Sequence, residues 1–207
     1  MESQSVLLSS AYLPPISWMR EAMLADKVMI EAHETYPKQT YRNRCRIMTA
    51  NGVLPLSIPV TKPDGKHSKT KDIEIFYDEP WQRLHWRSIN AAYSNSPFFL
   101  YYKDELEKFY QKKYRFLLDL NLEILQTLLS IMGKSIDIAL TSDFEHQPQK
   151  LVDRRNSFSP KIISDTSPFK RYTQVFEERF GFVADLSIID LIFNEGPASV
   201  SALNPEL

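Results

Sequence analysis

Residues 33–45 read His33-Glu34-Thr35-Tyr36-Pro37-Lys38-Gln39-Thr40-Tyr41-Arg42-Asn43-Arg44-Cys45, the densest run of chemically useful side chains in the sequence. Imidazole and carboxylate are the common general bases, so His33 and Glu34 are candidates for proton transfer. Lys38, Arg42 and Arg44 are candidates for holding an anion, Arg through a two-pronged contact to phosphate or carboxylate. The alternative is an irregular segment whose charges are solvated or paired with its own backbone.

A second cluster holds Trp81, His85, Trp86 and Ser88, followed by Tyr93, Pro97, Phe98, Phe99, Tyr101 and Tyr102. On a helix, Trp81, His85 and Ser88 share one face. His85 is the candidate acid or base here, with two indoles completing a cleft wall. The competing reading is a buried, hydrogen-bonded structural histidine. Tyr12, Tyr36, Gln39, Asn43, Trp86 and Tyr93 complete the candidate substrate-binding set. Cys45 has no clearly paired histidine and reads as a buried structural thiol rather than a nucleophile.

The charge pattern gives the site its expected ligand. Residues 38–71 carry Lys38, Arg42, Arg44, Arg46, Lys62, Lys66, Lys69 and Lys71 against Asp64 alone, in a chain whose net charge is −1. A local basic field in a neutral protein points to a small anionic substrate: a phosphate, diphosphate or carboxylate. The near-zero total argues against a general nucleic-acid binder. A solvated hairpin and loop is the plainer alternative.

Several chemistries lack their signatures. Glycines stand only at 52, 65, 133, 181 and 196, a spacing that builds neither a phosphate loop nor a dinucleotide fingerprint. The four histidines are scattered and there is one cysteine, so no zinc site of the usual kind is expected, and no metal is assigned. No cofactor is indicated.

Elements must position these residues. Residues 5–10 read as a strand, 16–25 as a helix opened by Pro14-Pro15, and 27–32 as a second strand, together a βαβ unit with a parallel pair. Ligands of such units sit beyond the strands' carboxyl ends, here residues 9–15 and 32–38. Residues 44–49 and 53–60 flank Asn51-Gly52 as a hairpin. Residues 61–71 read as a polar loop and 72–77 as a strand. Helices are expected over 81–93, 98–112 and 114–132, the last carrying the stripe Leu117, Leu120, Ile124, Leu128 and Ile131 and ending at Gly133. Residues 136–140 read as a strand, 145–168 as a loop with at most one helical turn, 169–180 and 187–194 as helices, and the last ten residues as a loose tail. The fold class is α/β: a Rossmann-like βαβ start with a mixed sheet, a β-hairpin and a helical C-terminal half. One domain spans 1–207.

With one cysteine there is no intrachain disulfide, and the N-terminus lacks the basic start and apolar run of a signal peptide. No apolar stretch is long enough to span a bilayer. Cytoplasmic location is the expectation; the oligomeric state is open.

Four segments resemble the WbqC-like protein family, in order along the chain. They are Leu7-Leu8-Ser9-Ser10-Ala11-Tyr12-Leu13-Pro14-Pro15; Tyr36-Pro37-Lys38-Gln39-Thr40-Tyr41-Arg42-Asn43-Arg44; His85 through Ile89 with Tyr93 and Pro97-Phe98-Phe99; and Leu186 through Pro197. The resemblance implies a bacterial protein near surface-polysaccharide (O-antigen) biosynthesis. From that setting we expect a transferase moving an acyl or aminoacyl group to an activated amino sugar, with a nucleotide-sugar as the anionic substrate. Lys38, Arg42 and Arg44 would hold the diphosphate or carboxylate, and Glu34 or His85 would take the amine's proton. The alternative is a non-catalytic ligand-binding or assembly protein of the same pathway.

Overall fold

The apolar run Val6-Leu7-Leu8 fills the centre of β1 (Ser5–Ser9), where all three side chains are buried. Pro15 occupies the N-cap position of α1 (Ile16–Leu24), which crosses over to β2 (Lys27–Glu31). β2 lies parallel to β1, with Ser5 opposite Lys27 and Ser9 opposite Glu31. The computed structural model describes residues 5–161 and 170–203.

The hairpin follows as β3 (Arg44–Thr49) and β4 (Gly52–Ser57), Thr49 pairing with Gly52. Its two-residue loop is therefore Ala50-Asn51, one position before the expected Asn51-Gly52. Gly52, and neither loop residue, takes the left-handed backbone (φ 99°), so the turn is of the kind that ends in a left-handed glycine. β5 (Val60–Thr61) pairs with β6 (Glu74–Ile75), a shorter strand than the alternation of residues 72–77 suggested. The intervening lysine loop makes two short 3-10 turns, Gly65–His67 and Thr70–Asp72.

Three helices follow: α2 (Trp81–Tyr93), α3 (Phe99–Gln111) and α4 (Leu117–Ile131). α4 buries Leu117, Leu120, Ile124 and Leu128, each burial contributing about 1.5–3 kcal/mol. Gly133 (φ 65°) ends it, with the amides of Gly133 and Lys134 donating back to the carbonyls of Ser130 and Leu129.

β7 (Asp137–Leu140) and β8 (Val152–Asp153) complete a four-stranded sheet of order β7-β2-β1-β8, parallel throughout. The fold is α/β. The antiparallel pairs form two separate small sheets instead of extending the parallel one. β8 falls within the stretch expected as loop, since two residues carry no periodicity.

The segment expected as helix 169–180 is helical only at α5 (Glu177–Phe180), Phe169 lying outside the described residues. Residues 171–174 form no helix or strand, and exposed Arg171 and Thr173 alternate with buried Tyr172 and Gln174. Both inward side chains hydrogen-bond Asp190, a tether that overrides the local helical spacing. α6 (Ile188–Glu195) is buried from Ile188 to Phe193 and packs against α1 and α3. The expected loose tail contains a helix, α7 (Ser199–Leu203), with Ala202 and Leu203 in the core.

Candidate functional site

β2 ends on Glu31, whose carboxylate is fully buried. One oxygen accepts from the His33 amide (2.8 Å) and the Thr141 hydroxyl (2.9 Å), and the other from Arg155 (2.9 Å). Arg155 also donates to both oxygens of Asp153, at 3.0 and 2.7 Å, and to the carbonyl of Glu145 at 2.9 Å. The hydrogen bond from Arg155 holds the Asp153 carboxyl below its ordinary range. This network ties together the carboxyl ends of β2, β7 and β8, where an open parallel sheet places its ligands.

Beyond Glu31 the chain runs antiparallel to residues 68–71. Thr35 bridges to Lys69, the Tyr36 amide donates to the Ser68 carbonyl (2.9 Å), and the Thr70 amide donates to the Glu34 carbonyl (3.0 Å). Alternation buries Glu34, Tyr36, Ser68 and Thr70 and leaves Thr35, Lys69 and Lys71 exposed, with His33 half-buried. Inside, Arg42 grips Glu34 with two bonds, Nε to Oε1 at 2.7 Å and an Nη to Oε2 at 2.8 Å. Burial raises the Glu34 carboxyl above its ordinary range, opposed by Arg42. Two residues expected to face substrate thus face each other. By contrast, the ring of His33 makes no hydrogen bond or ion pair among the described residues.

Three of the remaining cations, Lys62, Arg44 and Lys38, lie near Tyr36. Lys62 donates to the Tyr36 carbonyl (3.1 Å) and lies 4.9 Å from the centre of its ring. Burial first, and then the charge of Lys38, lowers the pKa of the Lys62 ammonium. Arg44 donates to the Ser57 hydroxyl (3.0 Å), and its charge reaches the Tyr36 phenol. That phenol is buried, its pKa raised by desolvation, and its oxygen has no partner among the described residues. Among those residues no carboxylate lies within ion-pair distance of Lys38, Arg44, Lys62, Lys69 or Lys71. Like charges held close without a counter-charge are unfavourable until an anion arrives.

The aromatic cluster adjoins these cations at Ser57. His85 is buried, its ring 5.2 Å from that of Trp81. Its Nδ1 lies 3.0 Å from the Tyr12 hydroxyl, which lies 2.8 Å from the Tyr110 hydroxyl. The ring also meets the backbone of Ser57, and burial lowers its pKa to about 4. His85 and Arg44 thus meet Ser57 from two sides, the imidazole at its backbone and the guanidinium at its hydroxyl. Tyr110 opens onto a groove of about 490 Å³ between α2 and α3, walled by Tyr77, Trp81 and Trp86, with charged residues on its rim.

The other candidates divide between scaffold and surface. Tyr93 donates to Asp190 (2.8 Å) in the core. Asn43 pins the hairpin by donating to the Ile58 carbonyl (2.8 Å) and accepting from its amide (2.8 Å). Gln39 is exposed in a left-handed conformation (φ 59°). Sequence reasoning did not single out Glu31, Arg155 or Tyr110. Glu31 carried a usable signal, an acid closing an apolar strand at the carboxyl edge. Among the described residues no three His, Cys, Asp or Glu side chains gather as a metal site, and no helix is long and apolar enough to cross a membrane.

The model of the WbqC-like protein family matches residues 9–159. The chain is also similar to an uncharacterized protein of Mycobacterium tuberculosis, Rv1507c, with 26% identity over 218 residues, covering 92% of this chain and 93% of the relative. No solved structure matches.

Proposed function

The chain belongs to the WbqC-like protein family, and we propose that it binds an anionic activated sugar, such as a nucleotide-sugar, at the cations around Tyr36. The observation that carries this reading is the closeness of Lys38 and Lys62, with Arg44 near the same Tyr36 and, among the described residues, no carboxylate within ion-pair distance of the three, Glu34 nearby being held by Arg42. A diphosphate or carboxylate supplies the missing charge, and Arg44 offers it a fork.

The reaction we assign is transfer of an acyl or aminoacyl group to the sugar's amine. The amine attacks the acyl carbonyl, the carbon–nitrogen bond forms as the donor's leaving group departs, and a base takes the amine's proton. His33 is the base of choice, since it borders the cationic face and its ring is unpartnered, whereas Glu34 is locked to Arg42 and His85 is buried. Non-catalytic ligand binding is the second reading, favoured by the fact that two of the three candidate bases are enclosed.

A thermal-shift panel of nucleotide-sugars, free nucleotides, ATP and acyl-CoA tests the binding claim. A ligand at about 100 times its Kd adds about 2.7 kcal/mol of stability. A shift with nucleotide-sugars that disappears in Lys38→Ala/Arg44→Ala supports the proposal. A shift that survives both substitutions contradicts the site. Given binding, turnover with an acyl donor that is lost in His33→Ala separates the enzyme from the binding protein.

A further inference from the structure

We propose that Ser57 is a positioning residue of the anion site: its hydroxyl holds Nε of Arg44, so that the guanidinium meets a phosphate of the ligand with its two Nη groups. On the preceding reading of the cations around Tyr36, on which this rests, Ser57 serves binding without touching the ligand itself.

Ser57 suits this role because its backbone is held while its side chain is exposed. It closes β4 and stands directly opposite Arg44 in the ladder. The next residue, Ile58, donates its amide to the Asn43 carbonyl (2.8 Å) and accepts at its own carbonyl from the Asn43 side chain (2.8 Å). The ring of His85 meets the Ser57 backbone as well. That ring is itself fixed, its Nδ1 lying 3.0 Å from the Tyr12 hydroxyl and its plane edge-on to Trp81. The strand end that carries the hydroxyl is thus tied to β3, to Asn43 and to α2.

Arg44 makes the matching use of it. Its Nε donates to the Ser57 hydroxyl at 3.0 Å, the one hydrogen bond of this side chain among the described residues. Among those residues neither Nη has a protein partner. A guanidinium is a rigid plane of five N–H donors, so holding Nε narrows the directions open to both Nη groups. A long, rotamer-rich side chain that is ordered only on binding costs affinity, and ordering it beforehand removes part of that cost. A fork with its inner donor occupied and its two outer arms unpaired is ready for a phosphate or carboxylate.

Calorimetric titration of UDP-N-acetylglucosamine into wild type, Ser57→Ala, Ser57→Thr, Arg44→Ala and Ser57→Ala/Arg44→Ala tests the proposal. Ser57→Ala raises Kd about two- to ten-fold, the worth of one hydrogen bond. Its Tm stays within about 2 °C of wild type, because the side chain is exposed. Ser57→Thr keeps the hydroxyl and binds as wild type does. In the Arg44→Ala background Ser57→Ala changes nothing further, since Ser57 acts only through the guanidinium. Ser57→Val, which matches threonine in shape, takes the place of Ser57→Ala if that variant does not fold by near-UV circular dichroism. A Kd unaltered in Ser57→Ala while Arg44→Ala binds more weakly overturns the proposal and leaves the anion site standing. So does a loss of the same size in the Arg44→Ala background, which puts Ser57 in contact with the ligand. A wild type that binds no UDP-N-acetylglucosamine overturns the anion site and this role with it.

Discussion

Substituting Arg42 by alanine separates scaffold from binding site more sharply than any other single change. Arg42 and Glu34 are 3% and 8% exposed, and the guanidinium makes two short bonds to the carboxylate. Thr70 contributes one further, longer bond at 3.3 Å. Removing Arg42 leaves a buried carboxylate with that hydroxyl alone, a loss of about 3–5 kcal/mol at neutral pH. In a chain of this size each kcal/mol moves Tm by about 2–4 °C, so a fall of about 6–20 °C is expected. The pH dependence has a definite sign. Burial raises the Glu34 carboxyl even beside Arg42, and removal of the cation raises it further. A carboxyl raised in the folded state destabilises when ionised, and the penalty fades as pH falls through its folded pKa towards its unfolded value. The deficit of Arg42→Ala is therefore largest at pH 7.5 and smaller at pH 5. Glu34→Gln/Arg42→Met, which removes both charges, recovers much of the loss. Denaturant melts of the three proteins at both pH values measure this. An Arg42→Ala protein within about 1 °C of wild type, yet deficient in ligand binding, would refute the structural assignment and return Arg42 to the binding face.

Three further outcomes are expected. Tyr93→Phe removes a phenol from the buried Asp190 carboxylate, whose pKa burial raises to about 6. The loss of about 1.5–3 kcal/mol at pH 7.5 shrinks below pH 6 as Asp190 protonates, readable in urea melts at the two pH values. Gly196→Ala places a Cβ 2.5 Å from the Phe98 ring at φ 52°, and a loss of about 2–5 kcal/mol is expected in the same assay. Cys45 is buried and its thiol is pushed up by desolvation, so thiol reagents label it only when denaturant is present; rapid labelling of the native protein contradicts this.

The legible parts of this fold were those with long periodic or turn signals. The stripe of α4, the helix over Trp81–Tyr93 and the β1–α1–β2 start follow from spacing alone, because each face buries several side chains at once. β8 and the irregular segment before α5 are held by partners far along the chain, Val6 and Leu7 for one and Asp190 for the other. Neither partner is visible in a local window. The site divides in the same way. Charge density located the cations around Tyr36, since an imbalance of that size survives any folding. It could not show that Arg42 turns inward to Glu34, because Glu-x7-Arg spacing carries no directional signal. Nor could it place Tyr12 against His85 and Tyr110, contacts spanning 73 and 98 residues.

Isothermal calorimetry with UDP-N-acetylglucosamine, on wild type and on Lys38→Ala/Arg44→Ala at two salt concentrations, tests the central claim most directly. The account expects saturable binding by the wild type that weakens with salt, and loss of affinity in the variant without a fall in Tm. Binding that is unchanged in the variant, or absent from the wild type while the Arg42→Ala stability effect is present, contradicts the assignment of the unpaired cations around Tyr36 as the substrate site.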